Sequence, residues 1–245
     1  MSAPRRIAVI GAAGGIGRVL VAALAGAGHD VVALDLPASL TRHPMSVPAI
    51  PIDVTSPAAI DDAVAALKQP EGGLDGLVNL AGYTLGVTPL AETGLDAFDD
   101  TVNGNLRGVF LTTKAFLPLM SEGGSVVLVS SGLAQFIRPG HGAYAAAKAG
   151  VIALAKTFAL ETAPRLRVNA VAPGPVQTAF LTGGTGRSNE DGDSLVPVEQ
   201  MAAAIPMGRI AQPEDVTGPI EFLLGPQSSF MTGQVLWING GAYMP

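Results

Sequence analysis

A chain of 245 residues with a formal net charge of −6 and no cysteine narrows the field at once. The acidic balance gives no electrostatic footprint for nucleic acid, and the missing thiols exclude disulfide, thiolate and zinc–thiolate chemistry. Charged residues make up 14%, well below the usual quarter, so burial between subunits is expected to cover apolar surface. No apolar run of about 18 residues escapes a charge, which argues against a membrane span.

Arg5 to Ile10 is a short apolar, β-prone run, followed by Gly11-Ala12-Ala13-Gly14-Gly15-Ile16-Gly17 and a helical pattern through about Ala27. A strand that turns on glycines into a helix offers backbone N–H groups and the positive helix end to a pyrophosphate. The next strand, Asp30 to Leu34, ends at Asp35, which lies 24 residues after Gly11. That is close to the spacing of a carboxylate that binds the adenosine ribose hydroxyls. Arg5-Arg6 before an apolar stretch has the look of a secretory signal. Arg18 interrupts that stretch, however, and cleavage near Ala25 would destroy the glycine turn, so a cytoplasmic protein is expected.

Further strands are expected at Val47–Ile52, Gly76–Leu80, Ser125–Val129, Leu166–Ala170 and Gln234–Ile238. Helices are expected at Pro57–Leu67, Leu95–Met120, Gly142–Thr162 and Pro213–Leu224. Alternating strands and helices imply a single-domain α/β fold over residues 1–245, a Rossmann-type doubly wound parallel sheet of about seven strands with helices on both faces. Two segments break the rhythm. Pro37, Pro44, Pro48 and Pro51 predict a short or missing helix between the second and third strands. An irregular insert at about 179–206, with a short helix near Val198–Ile205, follows the C-terminal end of a strand, where ligands bind in such sheets, and reads as a substrate lid.

Tyr144 and Lys148 stand four residues apart in an Ala-rich stretch, with Ser131 thirteen residues upstream. Positions i and i+4 share a helix face, and a neighbouring cation favours the phenolate that general acid–base work requires. His29, His43 and His141 lack ligand spacing, so no metal is expected.

Taken in order, these motifs resemble the short-chain dehydrogenase/reductase family, in the compact branch that includes 3-oxoacyl carrier-protein reductases and sugar, polyol and steroid dehydrogenases. The resemblance spans about residues 5 to 241. It covers the glycine fingerprint with Ile10 in place of threonine, Asp53-Val54 after the third strand, and Asn79-Leu80-Ala81-Gly82 with Leu80 in place of a second asparagine. It continues through Asn105, then Ser131, Tyr144 and Lys148 at the family spacing, and Pro173-Gly174-Pro175-Val176-Gln177-Thr178. Ile10 and Leu80 suggest that dispersion and burial replace a polar side-chain tie between two strands.

The resemblance implies hydride transfer between a nicotinamide and an alcohol or ketone carbon. Tyr144 would be the acid–base, Ser131 the donor to the substrate oxygen and Lys148 the group on the nicotinamide ribose, with Asn105 holding a water that links Lys148 to solvent. Gly11, Gly15, Ile16, Asp35, Asp53, Val54, Asn79, Ala81, Gly82, Pro173, Gly174, Val176 and Thr178 would join Tyr144 and Lys148 in binding the cofactor. Substrate contacts are expected from Ser131, Leu133, Gln135, His141 and Tyr144, with Tyr83, Phe136, Pro175 and Phe180 nearby. Asp35 repels a 2′-phosphate, and Arg18 should point along its helix, so NAD is expected over NADP. The expected substrate is a secondary alcohol or ketone, a polyol, sugar, hydroxy acid or cyclic alcohol, and the expected assembly a homotetramer. An NADPH-dependent carbonyl or 3-oxoacyl reductase and an inactive dinucleotide sensor are the alternatives.

Overall fold

In the computed structural model, residues 4–68, 73–184, 190–194 and 196–244 are described. Seven strands form one parallel sheet: β1 (Arg6–Ile10), β2 (Asp30–Asp35), β3 (Ala49–Pro51), β4 (Leu74–Asn79), β5 (Met120–Val129), β6 (Leu166–Pro173) and β7 (Val235–Ile238). Their spatial order is β3-β2-β1-β4-β5-β6-β7. The chain therefore winds outward in both directions from the β1–β4 pair, which leaves a crevice above that pair at the carboxyl ends of the strands. The helices are α1 (Gly15–Gly26), α2 (Pro37–Arg42), α3 (Pro57–Leu67), α4 (Leu95–Val102), α5 (Gly108–Phe116), α6 (Gly142–Thr162), α7 (Val198–Ala203) and α8 (Pro213–Leu224).

The inner strands β1, β2, β4, β5 and β6 are buried on both faces, and their alternate residues feed two cores. Ile7, Val9, Val31, Val78 and Val127 pack with Leu20 and Leu24 of α1 and Val216, Ile220 and Leu223 of α8. Ala8, Ile10, Leu34, Leu77 and Val126 pack with Ile60 of α3, Phe116 of α5 and Val151 and Phe158 of α6. Phe116 is fully buried, and truncating such a side chain costs about 3–5 kcal/mol. α6 is long and apolar enough to cross a bilayer by length and composition. Here it packs on β6 and β5 and turns Lys148 inward.

Element types follow the sequence closely, and the boundaries move where tertiary pairing decides them. β3 shrinks from the expected Val47–Ile52 to three residues. It is an edge strand paired only with β2, and Pro48 and Pro51 have no N–H to give a second neighbour. β6 runs on to Pro173 because β7 pairs with it from Ala170 to Pro173. The single helix expected at Leu95–Met120 is instead two helices joined by a π-turn at Asn103–Arg107. A 3₁₀ turn at Leu117–Leu119, built around Pro118, then ends the segment, and Met120 opens β5. Pro57 and Pro213 sit in the first turns of α3 and α8, where a missing N–H costs nothing.

Ile10 and Leu80 do not form a dispersion pair. Ile10 belongs to the α3/α5/α6 core, whereas Leu80 packs on the α1/α8 side. The two strands are tied there by the backbone, Leu80 N–H donating to the Ile10 carbonyl at 2.8 Å. Ile10 is buried and Leu80 half-buried, each on its own side of the sheet, so these two apolar residues leave no unpaired polar group.

Candidate active site

The crevice above β1 and β4 is a cleft of about 590 Å³. At one end lies the glycine turn. Gly11 has φ +80°, and a Cβ there would sit 2.9 Å from the Leu80 carbonyl carbon, so this position requires glycine. A Cβ on Gly17 would meet the Gly11 carbonyl oxygen at 2.2 Å, and one on Gly15 would meet Thr178 at 2.4 Å. The turn is therefore packed as closely as backbone allows against both its own start and the segment after β6.

Asp35 closes this end. Its carboxylate accepts from Ala13 N–H at 2.8 Å and Leu36 N–H at 2.7 Å. Burial raises its pKa, and hydrogen bonds from Leu36, Ala13, Ser39 and Gly14 partly offset that rise. Asp35 and Leu36 line the cleft, and Arg18 does not. Arg18 folds back rather than along α1, donating to the Ala13 carbonyl at 2.7 Å. Asp53 also lines the cleft, but its carboxylate is engaged by the N–H and hydroxyl of Thr55 at 2.9 and 2.7 Å.

The other end is organised by α6. The Lys148 side chain is buried, its ammonium donating to the Val129 carbonyl at 3.0 Å, while Ser130 Oγ donates to the Lys148 carbonyl at 2.7 Å. These two bonds fasten α6 to the end of β5. Burial pulls the Lys148 pKa down to about 8. The Tyr144 phenol is pushed above its usual range by burial, and a hydrogen bond with Ser131 works in the opposite direction. The Lys148 Nζ lies over the Tyr144 ring, 5.7 Å from its centroid.

Ser131, Leu133, His141, Tyr144, Lys148 and Phe180 all line the cleft, together with Gly11, Gly15, Ile16, Val54, Ala81, Gly82, Tyr83, Pro173, Gly174, Pro175, Val176 and Thr178. Three expected residues lie outside that lining. Asn79 is fully buried behind it, donating to Thr112 Oγ1 at 2.8 Å and accepting from Ala81 N–H at 3.1 Å. It shapes the Ala81 turn behind the cleft wall. Asn105 is likewise fully buried. Its side chain accepts from Tyr83 N–H at 3.1 Å and donates to the Tyr83 and Thr101 carbonyls at 3.0 Å. It braces the π-turn against the loop after β4, with both amide hydrogens and the carbonyl engaged by backbone. Gln135 is exposed, at the end of a 3₁₀ turn, and its place in the lining is taken by Phe136 and Arg138.

Arg138, Gln200, Met201 and Tyr243 line the cleft without having been expected. Three of them come from two segments distant in sequence: Gln200 and Met201 from α7, and Tyr243 from the tail after Gly240-Gly241. The insert does form a roof, with Phe180, Leu181, Val196, Met201 and Ile205 among the lining. It is anchored at α2, where Arg42 pairs with Glu190 at 3.4 Å and Asp191 at 2.8 Å, and His43 meets Glu190 at 2.8 Å.

Several features fit a nicotinamide dinucleotide. A buried ammonium carries three donors, of which a carbonyl takes one. The glycine turn has no room for any Cβ at Gly11, Gly15 or Gly17. A carboxylate sits at the end of β2 beside that turn. A Cβ on Gly82 would lie 2.8 Å from Asn105 Oδ1 and 2.9 Å from Lys148 Nζ, so that glycine allows both polar groups to crowd the cleft floor.

The family model described as Enoyl-(Acyl carrier protein) reductase matches residues 11–243. The chain belongs to the short-chain dehydrogenase/reductase family. It is 37% identical over 244 residues to the 3-oxoacyl-[acyl-carrier-protein] reductase FabG of Thermotoga maritima, covering 95% of each chain. A solved short-chain dehydrogenase/reductase of the glucose/ribitol dehydrogenase type from Brucella melitensis superposes with a TM-score of 0.86 at 30% identity, over 98% of this chain and 97% of that one. A ligand-free aldohexose dehydrogenase from Thermoplasma acidophilum gives 0.85 at 28% identity, over 99% and 96%. The protein is thus a short-chain oxidoreductase with the family's parallel sheet.

Replacing Asn105 by alanine removes its bonds to the Tyr83 N–H and to the Tyr83 and Thr101 carbonyls. Unfolding in urea should show a loss of about 2–4 kcal/mol, with kcat falling because the Gly82–Tyr83 loop loses its brace. Unchanged stability would contradict the bracing role.

Proposed function

We propose that the protein is an NAD-dependent oxidoreductase that moves a hydride between the nicotinamide and the carbon of a secondary alcohol or ketone. The observation that carries this reading is the meeting of Ser131, Tyr144 and Lys148 on the floor of one cleft, with the Asp35 carboxylate at its far end. When bound, the cofactor supplies the hydride acceptor or donor. Gly11, Gly15, Ile16 and the segment from Pro173 to Thr178 would hold it, with Lys148 and Asp35 on its two ribose groups.

In the oxidative direction Tyr144, as phenolate, takes the proton from the alcohol oxygen while the hydride leaves the same carbon. In the reductive direction the phenol returns that proton to the developing alkoxide. Ser131 donates to the same oxygen and so stabilises its charge, the role of an oxyanion-hole donor. Lys148 supplies positive charge below the Tyr144 ring and positions the ribose. Asn105 acts one step away, by fixing the loop that carries Gly82.

Charge supports NAD. A 2′-phosphate would approach the Asp35 carboxylate, and neither nearby arginine is placed to compensate. Arg18 is spent on the Ala13 carbonyl and Arg42 on Glu190 and Asp191. The 3-oxoacyl carrier-protein reductase among the relatives favours a second reading, NADPH-dependent ketone reduction. That reading must place the phosphate beside Asp35. Low charge and exposed apolar side chains such as Phe110, Leu160 and Phe230 support a homo-oligomer, a tetramer by family pattern.

Two outcomes test the assignment. Asp35→Ala with Leu36→Arg should move kcat/KM from NAD toward NADP by at least tenfold, roughly the worth of one charge contact; an unmoved ratio would mean that Asp35 is not at the ribose. Alcohol oxidation requires the deprotonated Tyr144, so its rate should rise with pH while ketone reduction falls. Ser131→Ala removes the hydrogen bond that lowers the phenol and should move the rising limb to higher pH. A pH profile indifferent to Ser131 would remove that residue from the acid–base unit.

A further inference from the structure

The cleft is electrically lopsided. Its two lining carboxylates, Asp35 and Asp53, both belong to the β2–β3 end. Around Tyr144 and beneath the roof, the lining side chains that can carry positive charge are Lys148, His141 and Arg138, and no carboxylate lines that half among the described residues. Burial lowers the His141 pKa, and the Lys148 ammonium is already bonded to Val129. Arg138 is therefore the cation left to meet a substrate.

Its placement favours that role. The Arg138 guanidinium lies over the Phe136 ring, 5.3 Å from the centroid. Phe136 is itself stacked on Tyr243 at 4.9 Å and 15°, and Tyr243 abuts Trp237 edge-on at 5.6 Å. The ring attracts the cation and restrains it without taking any of its N–H donors. Among the described residues no carboxylate pairs with Arg138, and its side chain makes no hydrogen bond. The loop that carries it is pinned just after Arg138. Thr88 N–H donates to the Gly140 carbonyl at 3.0 Å, and His141 N–H donates to the Arg138 carbonyl at 3.3 Å. The same loop begins at Ser131 and leads into α6, so Arg138 is indexed to the reacting groups.

The rest of this half of the lining is largely apolar, with Val87, Leu133, Phe180, Leu181 and Met201. Resting on the dehydrogenase reading above, we propose that the substrate is a hydroxy acid with an apolar body, oxidised to the corresponding oxo acid, and that Arg138 binds its carboxylate. The reaction balances as hydride to NAD and the hydroxyl proton to Tyr144, while the carboxylate stays unchanged on the fork of Arg138. A planar guanidinium and a carboxylate match as a bidentate pair, which orients the carbinol carbon as well as attracting the anion.

The test is a matched series of short- and medium-chain 2- and 3-hydroxy acids with their methyl esters, followed by nicotinamide absorbance. The acid should exceed its ester in kcat/KM by about tenfold or more, as expected for a charge-assisted contact, and added salt should erode that preference because Arg138 is solvent-facing. Arg138→Gln should collapse the acid-to-ester ratio through KM, with kcat little moved, and Arg138→Lys should keep part of it, the point charge without the fork. Esters turned over as well as acids, or a ratio indifferent to Arg138→Gln, would overturn this proposal while leaving the dehydrogenase reading intact. A preference for a carrier-bound thioester over the free acid would likewise overturn it. Turnover of neither series, nor of any neutral secondary alcohol, would overturn the dehydrogenase reading and this one with it.

Discussion

A lysine ammonium buried beneath the floor of the cleft is the constraint around which the rest of the site is arranged. Lys148 is 2% exposed, and desolvating a cation is among the more costly things a fold can do. The side chain reaches the Val129 carbonyl only because α6 is fastened to the end of β5 by Ser130, and because Gly82 brings no Cβ to the place where Lys148 and Asn105 meet. The same fastening sets Tyr144 one turn earlier on α6, beside Ser131 at the end of β5. A fold that needed only a stable helix would have put an apolar residue at position 148. The ionisable one is retained against its desolvation, and its pKa falls to about 8.

The second constraint is proximity at the sheet's switch point. Ile10 and Leu80 are joined backbone to backbone, and the glycine turn is wedged between Leu80 and Thr178. That packing leaves a crevice whose two ends carry opposite charge character. Asp35 and Asp53 lie at the β2–β3 end, whereas Lys148, His141 and Arg138 lie at the β5–α6 end. The polarity is a property of which strand each residue follows, so it comes from the topology itself.

Much of this was legible in the sequence because local chemistry decided it. Glycines with no space for a Cβ, prolines in the first turns of α3 and α8, and apolar strands buried on both faces leave signatures that depend little on distant partners. What escaped depended on partners far along the chain. The π-turn at Asn103–Arg107 exists because Asn105 reaches across to Tyr83, and no local propensity encodes that reach. β6 is lengthened by β7 more than sixty residues later. Asn79 and Gln135 were expected in the cleft by motif position, which fixes a residue's place in the chain and not the direction of its side chain. Arg138 and Tyr243 carried no motif, and they came together through stacking on Phe136. Of these, only the spacing of Arg138 between Ser131 and Tyr144 offered a signal in the sequence.

The central claim is that Tyr144 transfers the proton in an NAD-linked oxidation. It is tested most directly by following nicotinamide absorbance for the wild-type protein and Tyr144→Phe, with NAD and then NADP, across secondary alcohols, while calorimetry follows cofactor binding. The account predicts turnover with NAD by the wild type and none by Tyr144→Phe, with cofactor affinity nearly unchanged. Turnover by the phenylalanine variant at the wild-type rate would contradict it.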